Sequence, residues 1–146
     1  AQAAHTLGMK LVGYDPYISI EGAWRLPADV EKAETMEDLL HQSDYVSLHV
    51  PLVEDTKNLI NKSNLKKFKK GARLINLSRG GIVNTPDVIL ELENGNLGRF
   101  VTDFPTPELI KRSANKNDVV LLPHLGASTK EAEVNCAVMA ANQMVN

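Results

Sequence analysis

Asp15, His49, Arg79, Asp103 and His124 are the residues whose types and settings could do chemistry, because each stands at or just behind the end of a short apolar run. In RLINLSRGGIVN, residues 73–84, a buried strand needs only a turn at its end, yet Ser78 is followed by an arginine and the pair Gly80-Gly81. That pattern presents a cation on a flexible loop. A guanidinium carries a planar fork that matches the carboxylate and carbonyl oxygens of an acid substrate. His124 leads into the small residues LGAST, so its ring faces open space rather than a core and can take or give a proton near neutral pH. Two carboxylates, two imidazoles and a guanidinium at strand ends exceed what packing requires.

The elements that must position these groups are strands alternating with helices. KLVGYD (10–15), DYVSLHV (44–50), ARLINL (72–77), GRFVTD (98–103) and DVVLLP (118–123) read as short strands buried on both faces. Helices are expected at 36–42 behind a Thr35 cap, and at 86–93 behind a Thr85 cap with Pro86 in the first turn. A final helix opens with the capping box Ser128-x-x-Glu131 and places Val134, Ala137, Val138 and Ala141 on one face. Parallel pairing through crossovers follows, hence a doubly wound parallel α/β sheet. In such sheets ligands sit outside the carboxyl ends of the strands, where the five reactive residues lie.

Composition narrows the partner. With 146 residues and 43% hydrophobic content the chain can bury one core, and a net charge of -2 lacks the electrostatic footprint of a nucleic-acid binder. A small molecule is the expected partner, with no nucleic acid and no membrane. The single cysteine, Cys136, excludes an internal disulfide and reads as a core residue, in a cytoplasmic setting. The lysines of NLKKFKKG (64–71) read as a solvated helix face. His5 and His41 are assigned no role, and no metal site is expected. Asp15, before Pro16, either starts a turn or accepts from both hydroxyls of an adenosine ribose, where it would repel a 2′-phosphate and favour NAD over NADP. His49, with Pro51 behind it, is read as lining a cofactor cleft rather than as a catalytic group.

GYDPY, SDYVSLHVPLVEDTKNLIN, INLSRGGIVN, VTDFPTPEL and LPHLGASTKEAEVNCAVMA, taken together and in order, resemble the nucleotide-binding domain of the D-2-hydroxyacid dehydrogenases, nearest the bacterial phosphoglycerate-oxidising branch. The resemblance implies a Rossmann-like NAD-binding domain over 1–146 that pairs with a second copy of itself. It also implies oxidation of a D-2-hydroxy acid by hydride transfer, with 3-phosphoglycerate going to 3-phosphohydroxypyruvate in serine biosynthesis. Its catalytic set is Arg79 for the substrate, His124 as base and Glu108 as the carboxylate that orients it. Its cofactor contacts are Tyr14, Asp15 and Pro16, then His49, Val50, Pro51 and Thr56, then Leu77, Ser78 and Arg79. Asp103 meets the nicotinamide side, and His124, Gly126 and Ala127 complete the set.

The sequence departs from the family at one motif. TDFPTPEL stands where the family reads Asp-Val-Phe-x-x-Glu-Pro; ungapped counting gives Glu108 the glutamate position, whereas matching Phe-Pro-Thr gives it to Pro107. Arg99 also stands where the family places a small residue. The first strand, the Gly-x-Gly-x-x-Gly loop that holds a pyrophosphate and a substrate domain are expected outside Ala1–Asn146. Two alternatives share the residues: a hydroxypyruvate or glyoxylate reductase or D-lactate dehydrogenase of the same family, and an NAD(H)-sensing corepressor-like module.

Overall fold

Short runs of Val, Leu, Ile and Phe bounded by helix caps fold into alternating strands and helices. The computed structural model describes residues 1–126 and 128–145. In chain order it has α1 (Gln2–Thr6), β1 (Val12–Gly13), α2 (Ile20–Trp24), β2 (Glu31–Lys32), α3 (Met36–Gln42), β3 (Tyr45–Leu48) and α4 (Lys62–Leu65). These are followed by β4 (Ala72–Asn76), α5 (Thr85–Glu93), β5 (Leu97–Thr102), α6 (Pro107–Ser113), β6 (Val119–Leu121) and α7 (Lys130–Val145). β3, β4, β5 and β6 lie side by side in that order, all parallel.

The sheet differs from the expectation in two respects. β1 pairs in parallel with β2 alone, Val12 opposite Glu31 and Gly13 opposite Lys32, as a ladder separate from the four strands. Glu31–Lys32 is too polar to read as a strand and pairs through main-chain bonds, with the Glu31 amide donating to the Leu11 carbonyl at 2.9 Å. The second difference is that one face of the four-stranded sheet carries the core. Val46, Leu48, Leu74, Phe100 and Val119 pack with Leu40 of α3, Leu65 of α4, Val88 and Leu92 of α5 and Leu109 of α6. Burying each of the large side chains stabilises the fold by about 1.5–3 kcal/mol. On the opposite face Tyr45, Ser47 and Arg73 are exposed, with the Arg73 guanidinium 4.8 Å over the Tyr45 ring. β3 alternates polar and apolar residues, the pattern of a half-buried strand.

Caps set the helix boundaries. Thr35 and Asp38 form a reciprocal capping box on α3. The cap of α5 is Asn84, one residue earlier than expected, since its side chain and not that of Thr85 accepts from the Asp87 amide at 3.2 Å. α7 is capped by Thr129 rather than Ser128, with the Ala132 amide donating to its hydroxyl at 3.1 Å. The expected lysine-bearing helix ends at Leu65, and Lys67 and Lys69 beyond it pair with Glu37 and Asp44 at 2.6 Å each. Of the described side chains of α7 only Ala132 is even half-buried, so Cys136 is exposed and not in the core. No helix among the described residues is long and apolar enough to cross a membrane.

Arg112 of α6, 9% exposed, ties that helix down. Its guanidinium grips both oxygens of Asp118, just ahead of β6, at 3.0 and 2.7 Å, and reaches Glu93 at the end of α5 at 3.1 Å. The Asp118 hydrogen bonds raise the Arg112 pKa above the ordinary guanidinium value, against the opposing effect of burial. Arg112→Leu strands the Asp118 carboxylate, so it is expected to destabilise the fold by about 2–4 kcal/mol. Urea denaturation would show this as a lower midpoint at unchanged slope; an unchanged midpoint would mean that the network carries no net stability.

Candidate active site

Leu48, Asn76, Thr102 and Leu121 are opposite one another in a single register row across the four strands. Parallel strands leave such a row in one direction, so the residues that follow it share one edge of the sheet. Two members of the row are polar and 1% exposed, Asn76 and Thr102. Each spends its side chain on the chain just ahead of it. Asn76 Oδ1 accepts from the Ser78 amide at 3.2 Å and the Ser78 hydroxyl at 3.0 Å, while its Nδ2 donates to the Arg79 carbonyl at 2.9 Å. The Thr102 hydroxyl accepts from the Phe104 amide at 3.2 Å. Both turns are thereby fixed by side chains that are themselves buried.

Asp103, the first residue after β5, is 9% exposed and places Oδ2 2.7 Å from Nδ1 of His124. An ionised carboxylate only accepts, so Nδ1 carries the proton and Nε2 of the neutral ring keeps its lone pair. The second carboxylate oxygen, Oδ1, is buried with no hydrogen-bond partner among the described residues. Leaving such an acceptor unpaired costs about 1–3 kcal/mol, which a bound donor would recover.

The carboxylate hydrogen-bonded to the His124 ring in this structure is Asp103, whereas the resemblance gives the orienting place to Glu108. Asp103 follows β5 directly and β6 runs beside it, whereas Glu108 lies five residues further on, in the first turn of α6. There the Thr106 hydroxyl, and after it the Glu108 amide, hold the Glu108 carboxyl below its usual range. Ungapped counting locates Glu108 in the chain but says nothing of where its side chain points.

Arg79 is exposed, and its Nη1 donates to the Ser78 carbonyl at 2.6 Å. The two glycines after it have a reason other than flexibility. A Cβ on Gly80 would lie 3.3 Å from Phe104, and one on Gly81 would lie 3.1 Å from Leu52, both tighter than ordinary contact. The loop is therefore clasped between two side chains. Main-chain bonds add to this, with the Asn58 amide donating to the Gly81 carbonyl at 2.9 Å and the Ile60 amide to the Ile82 carbonyl at 3.1 Å.

His49, Val50, Pro51, Ser78 and Arg79 line one open cleft of about 730 Å³ together with Leu52. Thr56 shapes the wall of that cleft, its hydroxyl donating to the Pro51 carbonyl at 2.6 Å and accepting from the Val53 amide at 2.9 Å. Leu77 is exposed beside it. Tyr14, Asp15 and Pro16 follow β1 on the separate ladder; one Asp15 oxygen accepts from the Tyr17 amide at 2.9 Å, which is the turn reading of that residue. Gly126 is exposed, and Ala127 lies outside the described residues. His5 pairs with Asp29, and His41 with Glu37. Asn76, Thr102 and Phe104 were not singled out by sequence. A polar residue closing an apolar run, with a turn two residues on, is the signal that marks the first two.

A family model described as D-isomer specific 2-hydroxyacid dehydrogenase, NAD binding domain, matches residues 1–126. The chain is 39% identical to a D-3-phosphoglycerate dehydrogenase of Synechocystis over 99% of its own length and 26% of that protein's. It is 35% identical to a hydroxypyruvate reductase of Thermotoga maritima, over 91% of this chain and 43% of that one. Among solved structures, the NAD-complexed D-isomer specific 2-hydroxyacid dehydrogenase of Lactobacillus delbrueckii ssp. bulgaricus superposes with a TM-score of 0.83 at 27% identity, covering 99% of this chain and 47% of that one. The chain thus spans between about a quarter and a half of the length of these relatives.

Asn76→Ala removes the three side-chain bonds that hold the Ser78–Arg79 turn. A loss of about 1–3 kcal/mol is expected, with faster hydrogen exchange at the Ser78 amide than at amides of the β4–β5 ladder. Unchanged protection at Ser78 would show that the turn is held by its neighbours instead.

Proposed function

This chain belongs to the NAD-binding domain family of the D-isomer-specific 2-hydroxyacid dehydrogenases, and from that premise we propose that the protein carrying it oxidises a D-2-hydroxy acid with NAD in the cytoplasm. The observation that carries the reading is the Asp103–His124 hydrogen bond of 2.7 Å at the strand ends. His124 Nε2 accepts the proton of the substrate hydroxyl as the carbon–oxygen double bond forms. Asp103 keeps the ring in the tautomer that can do so and stabilises the imidazolium that results. Arg79 exchanges the neutral Ser78 carbonyl for the substrate carboxylate, a stronger acceptor. NAD, when bound, supplies the hydride acceptor. Asp103 Oδ1, which has no partner among the described residues, suits the amide donors of a carboxamide, and the cleft along His49–Pro51 and Ser78–Arg79 suits the rest of the cofactor. Asp15 gives one oxygen to the Tyr17 amide, and its other oxygen can accept from a ribose hydroxyl, which supports NAD over NADP. A dinucleotide sensor needs no proton-transfer pair, so the Asp103–His124 arrangement favours catalysis over a corepressor-like module.

The Synechocystis relative's name favours 3-phosphoglycerate, and with it a place in serine synthesis, whereas the Thermotoga relative's name favours hydroxypyruvate. The domain is one part of the enzyme in this reading, and a substrate domain supplies the remaining contacts. In the full-length protein, phosphohydroxypyruvate should be reduced in preference to hydroxypyruvate, glyoxylate or pyruvate, with NADH and not NADPH. His124→Ala and Asp103→Asn should each lower turnover by about 10²-fold or more. Arg79→Lys should raise the KM for the oxo acid by about 10-fold or more, since a point charge does not replace a fork. Preference for glyoxylate would overturn the substrate, and normal turnover in the His124 variant would overturn the mechanism.

The same reading includes pairing of two copies through this domain. Val134, Val138 and Met139 of α7 are 62%, 52% and 63% exposed, more apolar surface than one helix ordinarily leaves in water. Sedimentation equilibrium should give a dimer that Val138→Glu converts to a monomer; a variant that stays dimeric would place the interface elsewhere.

A further inference from the structure

Phe104 touches both halves of the candidate site. It is half-buried, its ring centroid lies 4.9 Å from that of His124 at an interplanar angle of 49°, and its Cβ and Cγ lie 3.3 Å from where a Cβ on Gly80 would stand. Neighbours in an extended chain point to opposite sides, so Asp103 and Phe104 can reach one imidazole only because the chain turns between them. The bond from the Phe104 amide to the Thr102 hydroxyl makes that turn.

The two contacts do different things to the ring. A hydrogen bond to Nδ1 fixes the tautomer and one edge but leaves the imidazole free to swing about the Nδ1–Oδ2 line. A tilted aromatic ring against it removes that freedom, through dispersion and the preferred geometry of aromatic pairs. We propose that Phe104 is a positioning residue that aims His124 Nε2, and that Gly80 is a glycine because Phe104 fills the space its side chain would take. The Arg79 loop and the imidazole are then mechanically linked through one phenyl ring. This deepens the dehydrogenase reading and rests on it for the kinetic consequence, whereas the clamp itself is a property of the folded chain.

A double-mutant cycle in the full-length protein tests the link. Phe104→Val should lower kcat for NADH-dependent reduction of the oxo acid by about 10-fold while KM changes less than about 3-fold, because the loss is of aim rather than of substrate grip. Phe104→Tyr, which keeps the ring, should restore kcat to within about 2-fold of wild type. Gly80→Ala alone should also lower kcat, but should cost less in a Phe104→Gly background, where neither the Cβ nor the Cγ that meets the added methyl remains. Additive effects, or a Phe104→Val enzyme with normal kcat, would overturn the proposal. Proton spectra of the His124 ring, assigned with His124→Gln, give a readout free of catalysis: the aromatic shift from Phe104 should be present in wild type and in Phe104→Tyr and lost in Phe104→Val. If the wild type reduces no 2-oxo acid, the dehydrogenase reading fails and the spectra still decide the clamp. If it is active and the spectra do not differ, the clamp fails and the reading stands.

Discussion

The register row Leu48–Asn76–Thr102–Leu121 is the constraint on which the site depends. Parallel pairing with no offset at this row brings four chain segments out of the sheet at one level, and the loops inherit their relative positions from it. A shift of one residue between β5 and β6 would reverse the face to which every β6 side chain points and would separate Asp103 from His124. The ladder reaches a step past the row, where the Leu122 amide donates to the Thr102 carbonyl at 3.0 Å, so the approach to His124 is still tethered to β5. Core burial on one face, and the grip of Arg112 in α6 on Asp118 ahead of β6, help to hold this register.

Polar residues at the end of a buried strand are costly unless satisfied, and here the cost is turned to use. Asn76 and Thr102 hold the turns after β4 and β5 with bonds from buried side chains, for which solvent competes poorly. The consequence is an uneven site. Asp103 is fixed by burial, and the exposed His124 by a short hydrogen bond and an aromatic contact, while Arg79 has a braced main chain and an exposed guanidinium. Proton transfer tolerates little misalignment, whereas a long cation that closes on an anion needs room to move.

The sequence was most legible where a residue's effect is local. The Thr35 cap and the strands within the five apolar runs depend on neighbours in the chain and appear where they were expected. Legibility fell where the deciding partner is distant. The β1–β2 ladder rests on main-chain bonds that polar Glu31–Lys32 does not advertise, and the exposure of Cys136 depends on what α7 packs against rather than on its alanines and valines. The glycine pair had a plausible local reading as a flexible loop. A Cβ at either position would crowd a distant side chain, Phe104 24 residues further on for Gly80 and Leu52 29 residues back for Gly81.

Glu108 and Asp103 show the same limit at the chemical centre. Both are carboxylates near the end of β5, and both fit an orienting role by type and spacing. What separates them is competition for hydrogen-bond donors. At the start of α6 the Thr106 hydroxyl, and after it the Glu108 amide, hold the Glu108 carboxyl below its usual range. At the end of β5 the Phe104 amide is taken by the Thr102 hydroxyl and the Asp103 side chain is buried, where the His124 imidazole beyond β6 bonds it at 2.7 Å. Position along a motif therefore nominates a carboxylate, and the local supply of donors decides between the candidates.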